Sequence, residues 1–136
     1  MKILAIALFC LSLIGCATSG NTSNSLSFTE EPRTLFVSKH YSGYEERHLG
    51  EIMRLFEKHG FAITREKENS IYSLDYSIDA GATLTVEIAL LKNNKSILDV
   101  SATNVWMGTV MFRPVAVKNR ISAALSELDE LLTEKM

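Results

Sequence analysis

Between residues 72 and 103 apolar and polar side chains alternate in three successive runs, and this pattern limits the possible folds more than any other feature of the chain. Tyr72, Leu74, Tyr76 and Ile78 alternate with Ser73, Asp75, Ser77 and Asp79. Leu84, Val86, Ile88 and Leu90 alternate with Thr83, Thr85 and Glu87, and Leu98, Val100 and Ala102 with Asp99, Ser101 and Thr103. A period of two sends neighbouring side chains to opposite faces, so each run describes a strand with one buried and one wet face. The connections Ala80-Gly81-Ala82 and Asn93-Asn94-Lys95 have turn chemistry and predict two consecutive hairpins. Three-residue loops would set Asp75 opposite Glu87 and Glu87 opposite Ser101, a register that keeps the apolar set on one face.

Such a face must be covered, and two amphipathic segments supply the cover. Ser42-Gly43-Tyr44-Glu45 has the form of a capping box, in which the serine and glutamate each satisfy a free donor at a helix start. Leu49, Ile52, Met53 and Phe56 follow at helical spacing and Gly60 supplies a stop, which predicts a helix over 43–59. Short strands at Thr34–Ser38 and Phe61–Arg65 flank it, as in a parallel pair joined by a right-handed crossover. Arg113-Pro114 opens a last helix, with Val117, Ile121, Ala124, Leu125, Leu128, Leu131 and Leu132 as its apolar stripe. The fold class that follows is α+β. It is a two-layer sandwich, β-α-β-β-β-β-α, with a mostly antiparallel sheet of four to five strands and two helices on one face.

The chain's beginning has a different character. Met1-Lys2 is followed by an apolar run from Ile3 to Ile14, broken by Ser12. As a helix this run spans about 18 Å, too short for a hydrocarbon core of about 30 Å, and it has no polar face. Its length and charged start are those of a secretory signal. Leu13-Ile14-Gly15-Cys16 resembles the lipobox of bacterial lipoproteins. The resemblance implies cleavage before Cys16, a diacylglycerol on its thiol and acylation (palmitate in type) of its new amine. Ala17, rather than aspartate, after the cysteine implies sorting to the outer membrane. Residues 1–15 are then a signal peptide. Residues 16–32 are a lipidated cysteine and a flexible tether rich in Ser, Thr, Asn and Gly, with an added strand through Leu26 and Phe28 as the alternative. Residues 33–136 are one small periplasmic α/β domain. Its element order over about residues 33 to 134 is similar to that of small outer-membrane lipoprotein domains, including the lipopolysaccharide-assembly lipoprotein.

Cys10 would leave with the signal and Cys16 would be acylated, so the mature chain would have no thiol for disulfides, catalysis or metal ligation. Loss of Lys2 leaves 13 basic against 16 acidic side chains, a balance of −3 that points away from nucleic acid. No Gly-x-Ser-x-Gly elbow, His-Glu-x-x-His or Gly-rich phosphate loop is present, and no catalytic residue, metal or cofactor is assigned. His48 and His59 are 11 residues apart, about 16 Å along a helix, and cannot share one ion. Two regions remain as candidates for binding. Trp106, Met107, Val110, Met111 and Phe112 concentrate the residue types found at protein interfaces. Asp75 and Glu87, with Thr85, Ser101 and Thr103, mark a face for a cation, small ligand or glycan, where a pair of carboxylates also brings a glycan hydrolase to mind. The resulting expectation is a non-enzymatic, outer-membrane-anchored lipoprotein. It would assist a cell-envelope complex through protein contacts, and the alternative is a binding module using the Asp75/Glu87 face.

Overall fold

The computed structural model describes residues 17–22, 28, 32–81, 83–105 and 113–136. Among these residues six strands form one sheet: β1 (Ala17–Thr22), β2 (Thr34–Phe36), β3 (Ala62–Thr64), β4 (Tyr72–Ala80), β5 (Thr83–Lys92) and β6 (Lys95–Val105). Their spatial order is β1-β6-β5-β4-β2-β3. Helices α1 (Gly43–Lys58) and α2 (Arg113–Lys135) cover the same face, and a 3₁₀ turn (Lys67–Asn69) precedes β4. The α+β sandwich read from the alternating runs is therefore the fold. β2 and β3 pair in parallel, Thr34 with Ala62 and Phe36 with Thr64, across the α1 crossover.

The core lies between the layers. Tyr72, Leu74 and Tyr76 of β4, Leu84, Val86, Ile88 and Leu90 of β5, and Leu98, Val100 and Ala102 of β6 are buried. They meet Leu49, Ile52 and Phe56 of α1 and Val117, Ile121, Ala124, Leu128 and Leu132 of α2, while Leu125 and Leu131 are half-buried at the rim. α1 ends where Gly60 takes a left-handed φ of 81°. The Gly60 N–H donates to Glu57 O at 2.9 Å and the Phe61 N–H to Phe56 O at 3.0 Å. These two bonds are the Schellman pattern, and its apolar contact is present as the Phe56 and Phe61 rings packed edge-on at 5.3 Å.

Three local expectations are corrected. Ser42 makes no side-chain bond to the helix start. Glu45 instead accepts from the Ile78 N–H at 3.1 Å. β2 pairs with β4 only at Tyr72 and Ser73, so among the described residues the upper flank of β4 has no strand neighbour on that side and the helix carboxylate serves it. The β4–β5 register differs by two residues from that expected: Asp75 faces Ala89 and Ser77 faces Glu87. The Gly81 N–H donates to Asp79 Oδ1, which places the turn one residue later and spares two carboxylates a direct cross-strand contact. Glu87 does face Ser101. The second hairpin turns on two residues, Asn93 and Asn94, both at positive φ, and a shift at Leu90/Leu91 restores the register beyond them.

The segment read as a flexible tether is also corrected. Ala17–Thr22 is an edge strand, antiparallel to β6 from Ala17–Thr103 to Thr22–Leu98. Phe28 is buried against Phe61 (5.5 Å) and Tyr72 (6.0 Å). Polar composition hid the strand because its pairing uses the backbone edge of β6 rather than an apolar stripe. Its inward residue Gly20 lies so close to α2 that an added Cβ would stand 2.6 Å from Leu131 Cδ1 and 2.9 Å from Glu127 Cγ.

The Tyr76 ring is buried, 5.5 Å from that of Tyr41, and its hydroxyl has no hydrogen-bond partner among the described residues. The Tyr41 hydroxyl donates to Leu74 O. Burial, then the nearby Asp75 and Glu45 carboxylates, push the Tyr41 phenol up to about 12. Burial pushes that of Tyr76 up as well. Tyr76→Phe removes an unsatisfied buried group and is expected to leave thermal stability unchanged or raise it by about 1 kcal/mol. Tyr41→Phe deletes a bond and should lower it by about 0.5–1.5 kcal/mol. Denaturant melts of the two variants decide the matter, and a destabilised Tyr76→Phe would mean that its hydroxyl has a partner in solution.

Candidate functional site: the outer sheet face

The outward residues of the four long strands form a polar lattice. One cross-strand row reads Asp75–Ala89–Asp99–Asn21, the next Ser77–Glu87–Ser101–Ser19, and the next Asp79–Thr85–Thr103–Ala17. Small side chains at Ser77, Ala89 and Ser101 leave a shallow depression of about 250 Å³ among Asp75, Glu87 and Asp99. Diagonal neighbours in such a lattice lie about 7–8 Å apart. Asp75 and Asp99, two strands apart, are separated by about 10 Å. Asp99 accepts from Asn21 Nδ2 at 3.1 Å, and the Thr85 and Thr103 hydroxyls meet at 3.3 Å.

The structure thus brings Asp75, Glu87, Thr85, Ser101 and Thr103 onto one face, as the alternation predicts. Asp75 and Glu87 are diagonal rather than opposite, and Asp99 joins them as a third carboxylate. Asp99 belongs to the same alternation and is the member of this face that the candidate set lacks. Among the described residues no group of three His, Cys, Asp or Glu side chains is close enough to hold a metal ion. The face is open to water, and its three carboxylates give it negative charge. Trp106, Met107, Val110, Met111 and Phe112, together with Cys16, lie outside the described residues.

A second polar cluster joins the helices. Asp129 of α2 takes Lys58 Nζ at 2.8 Å and His59 Nε2 at 2.6 Å. His48 pairs instead with Glu51 at 3.3 Å, so the two histidines have separate partners. Hydrogen bonds from Lys58 and then His59 hold the Asp129 carboxyl below the usual carboxylate range. A depressed folded value means that this tie is present above the ordinary carboxylate pKa and is lost as pH falls through the folded one. Asp129→Asn should therefore lower stability at neutral pH and flatten its loss in acid. Because the cluster is partly exposed and screened, the effect should be a few tenths to about 1 kcal/mol. Melting curves at neutral and acidic pH test this. An unchanged acid slope would show that the tie contributes nothing.

No family model and no curated protein matches the chain. Two solved structures of PelC dodecamers from Paraburkholderia phytofirmans are similar to it. One is 14% identical, with 85% of this chain and 98% of that chain covered and a TM-score of 0.47. The other, a point variant, is 12% identical, with 82% and 98% covered and a TM-score of 0.42. A likeness of this order supports no statement about family or function.

Proposed function

We propose that this chain is an outer-membrane-anchored lipoprotein whose periplasmic domain acts as a non-enzymatic accessory of a cell-envelope complex, through protein contacts. The observation that supports the reading is the sequence Leu13-Ile14-Gly15-Cys16, which resembles a lipobox and is followed in the chain directly by β1. Open surfaces suit contact rather than turnover: the polar outer face and the two sheet edges, β1 and β3, which could accept an added strand. The acyl chains on Cys16 would contribute about 0.8 kcal/mol per buried methylene, enough with two or more chains for lasting attachment.

The test is in-cell crosslinking of the full chain followed by capture and mass spectrometry, with Cys16→Ser and Glu87→Lys alongside. The reading expects acylated Cys16, loss of the membrane fraction in Cys16→Ser, and one near-stoichiometric envelope protein. Cys16→Ser that still fractionates with membranes after a carbonate wash would sink it. The depression among Asp75, Glu87 and Asp99 favours a second reading, a binding module for a cationic ligand or glycan. A saturable rise in melting temperature with such a ligand, abolished by Glu87→Lys, would support it.

A further inference from the structure

Topology fixes which parts of the chain share an end of the sandwich with Cys16. β1 begins at Ala17, opposite Thr103, and β6 closes two residues later at Val105, opposite Thr83. β4 finishes there too, at Ala80 opposite Leu84. α1 starts at the same end, since Glu45 reaches Ile78. α2 also starts there. Its residues Glu127 and Leu131 lie over Gly20, three residues into β1, and its far end brings Met136 to Arg33, just ahead of β2. Arg113 is 14 positions before Glu127, about 21 Å back along the helix, whereas Ala17 is only about 10 Å from Gly20. The first turns of α2 therefore stand level with the start of β1 or beyond it.

Apart from Lys135 in the last turn, the charges of α2 are arranged against its own dipole. Residues 113–126 carry Arg113, Lys118 and Arg120 and no acid, while Glu127, Asp129, Glu130 and Glu134 follow in the second half, where Lys135 is the one base. A helix favours acids in its first turn and bases in its last, and the first turn of α2 has no acid. The basic end thus has no benefit within the helix itself. It also exposes an apolar side chain. Val115 is 58% exposed, and among the described residues Met136, at the opposite end, is the other large apolar side chain left open.

We infer that the β1–β6–α2 corner of this end lies against an anionic lipid surface, with Val115 at the headgroups and Arg113, Lys118 and Arg120 facing phosphates, while the acids of this end, Glu45, Glu46 and Asp79, belong to the opposite, β4–α1 corner. The inference rests on the anchored reading, because acyl chains on Cys16 would enter the bilayer one residue from Ala17. A lipidated residue joined directly to a paired strand holds the sheet end within a few ångströms of the headgroups, since consecutive Cα atoms are 3.8 Å apart in any trans chain. Surface attraction is felt within a Debye length of about 8–10 Å, which the first two turns of α2 would occupy. Lys92 and Lys95 also carry positive charge, but they belong to the far end of the sheet. Eight residues of β6 separate Lys95 from Thr103, about 27 Å, well outside that range. The acidic second half of α2 points away from the lipid, and the outer sheet face stands open to the side for a partner.

The experiment uses the full-length lipidated protein in vesicles of phosphatidylethanolamine and phosphatidylglycerol containing a nitroxide-labelled lipid. Val115→Cys and Glu134→Cys, about 28 Å apart along α2, are each labelled with an environment-sensitive fluorophore. Quenching several-fold stronger at 115 than at 134 is expected. It should weaken in Lys118→Glu/Arg120→Glu and in vesicles of phosphatidylcholine alone. Each basic residue near such a surface changes affinity about fivefold, so the double variant removes a substantial part of the attraction. Equal quenching at both positions, or stronger quenching at 134, with Cys16 acylated by intact mass, overturns this orientation and leaves the anchor standing. Quenching at 115 that ignores both the charge reversal and the lipid charge overturns the role of the basic residues. An intact mass without acyl chains overturns the anchored reading, and the orientation falls with it.

Discussion

Phe56→Ala is expected to have the largest effect of any single substitution considered, a loss of about 3–5 kcal/mol, enough to unfold a large part of the population of a marginal domain. Phe56 is fully buried in α1 and packs edge-on against Phe61, which in turn meets Phe28 and Tyr72. Truncation leaves a cavity beneath the point where the helix hands over to β3. It also removes the apolar contact that accompanies the Gly60 cap, so helix end and ring cluster weaken together. Urea unfolding followed by tryptophan-independent circular dichroism measures the loss. A shift within about 1 kcal/mol would mean that the ring cluster repacks around the gap.

Gly20→Val should rank next, and its effect should be local. A Cβ there meets both Leu131 and Glu127, and valine's two methyl groups cannot rotate away from the helix as a flexible chain end could. Overpacking of this kind costs about 1–3 kcal/mol. β1 contributes only an exposed edge, so the expected outcome is its release from β6 rather than collapse of the sheet. Amide exchange would show lost protection at 17–22 and at the facing β6 positions, with β4 and β5 still protected. Gly20→Ala should be milder, because the nearest atoms, Leu131 Cδ1 and Glu127 Oε1, are ends of side chains that can move. Uniform loss of protection across the sheet in Gly20→Val would mean that β1 is integral to the fold.

What the sequence disclosed, and what it hid, follows from the source of each interaction. The three alternating runs and the α2 stripe were legible because burial acts on side chains, and side-chain type is what a sequence records. Gly60 was legible for the same reason, since a left-handed φ selects glycine. β1 was not, because Ala17–Thr22 is held by backbone bonds to β6 and its close approach to α2 demands small residues, which read as coil. The β4–β5 register accompanies a turn hydrogen bond, Gly81 N–H to Asp79, that no periodicity encodes. The Ser42–Glu45 box failed because Glu45 is drawn to Ile78, 33 residues away in sequence. Asp129 and His59, 70 residues apart, were invisible as a pair for the same reason. Of the outer face, the residue types were readable and the spacings were not.

The order β1-β6-β5-β4-β2-β3 has a kinetic consequence. The strand nearest the beginning of the chain pairs with the last strand to be synthesised, at a separation of 76 to 86 residues. Closing so long a loop gains nothing until β6 has already formed on β5, whereas the two central hairpins close locally. The β1–β6 seam is therefore expected to be the last part of the sheet to zip and the first to open, so that the earliest residues of the domain to emerge are the latest to be secured.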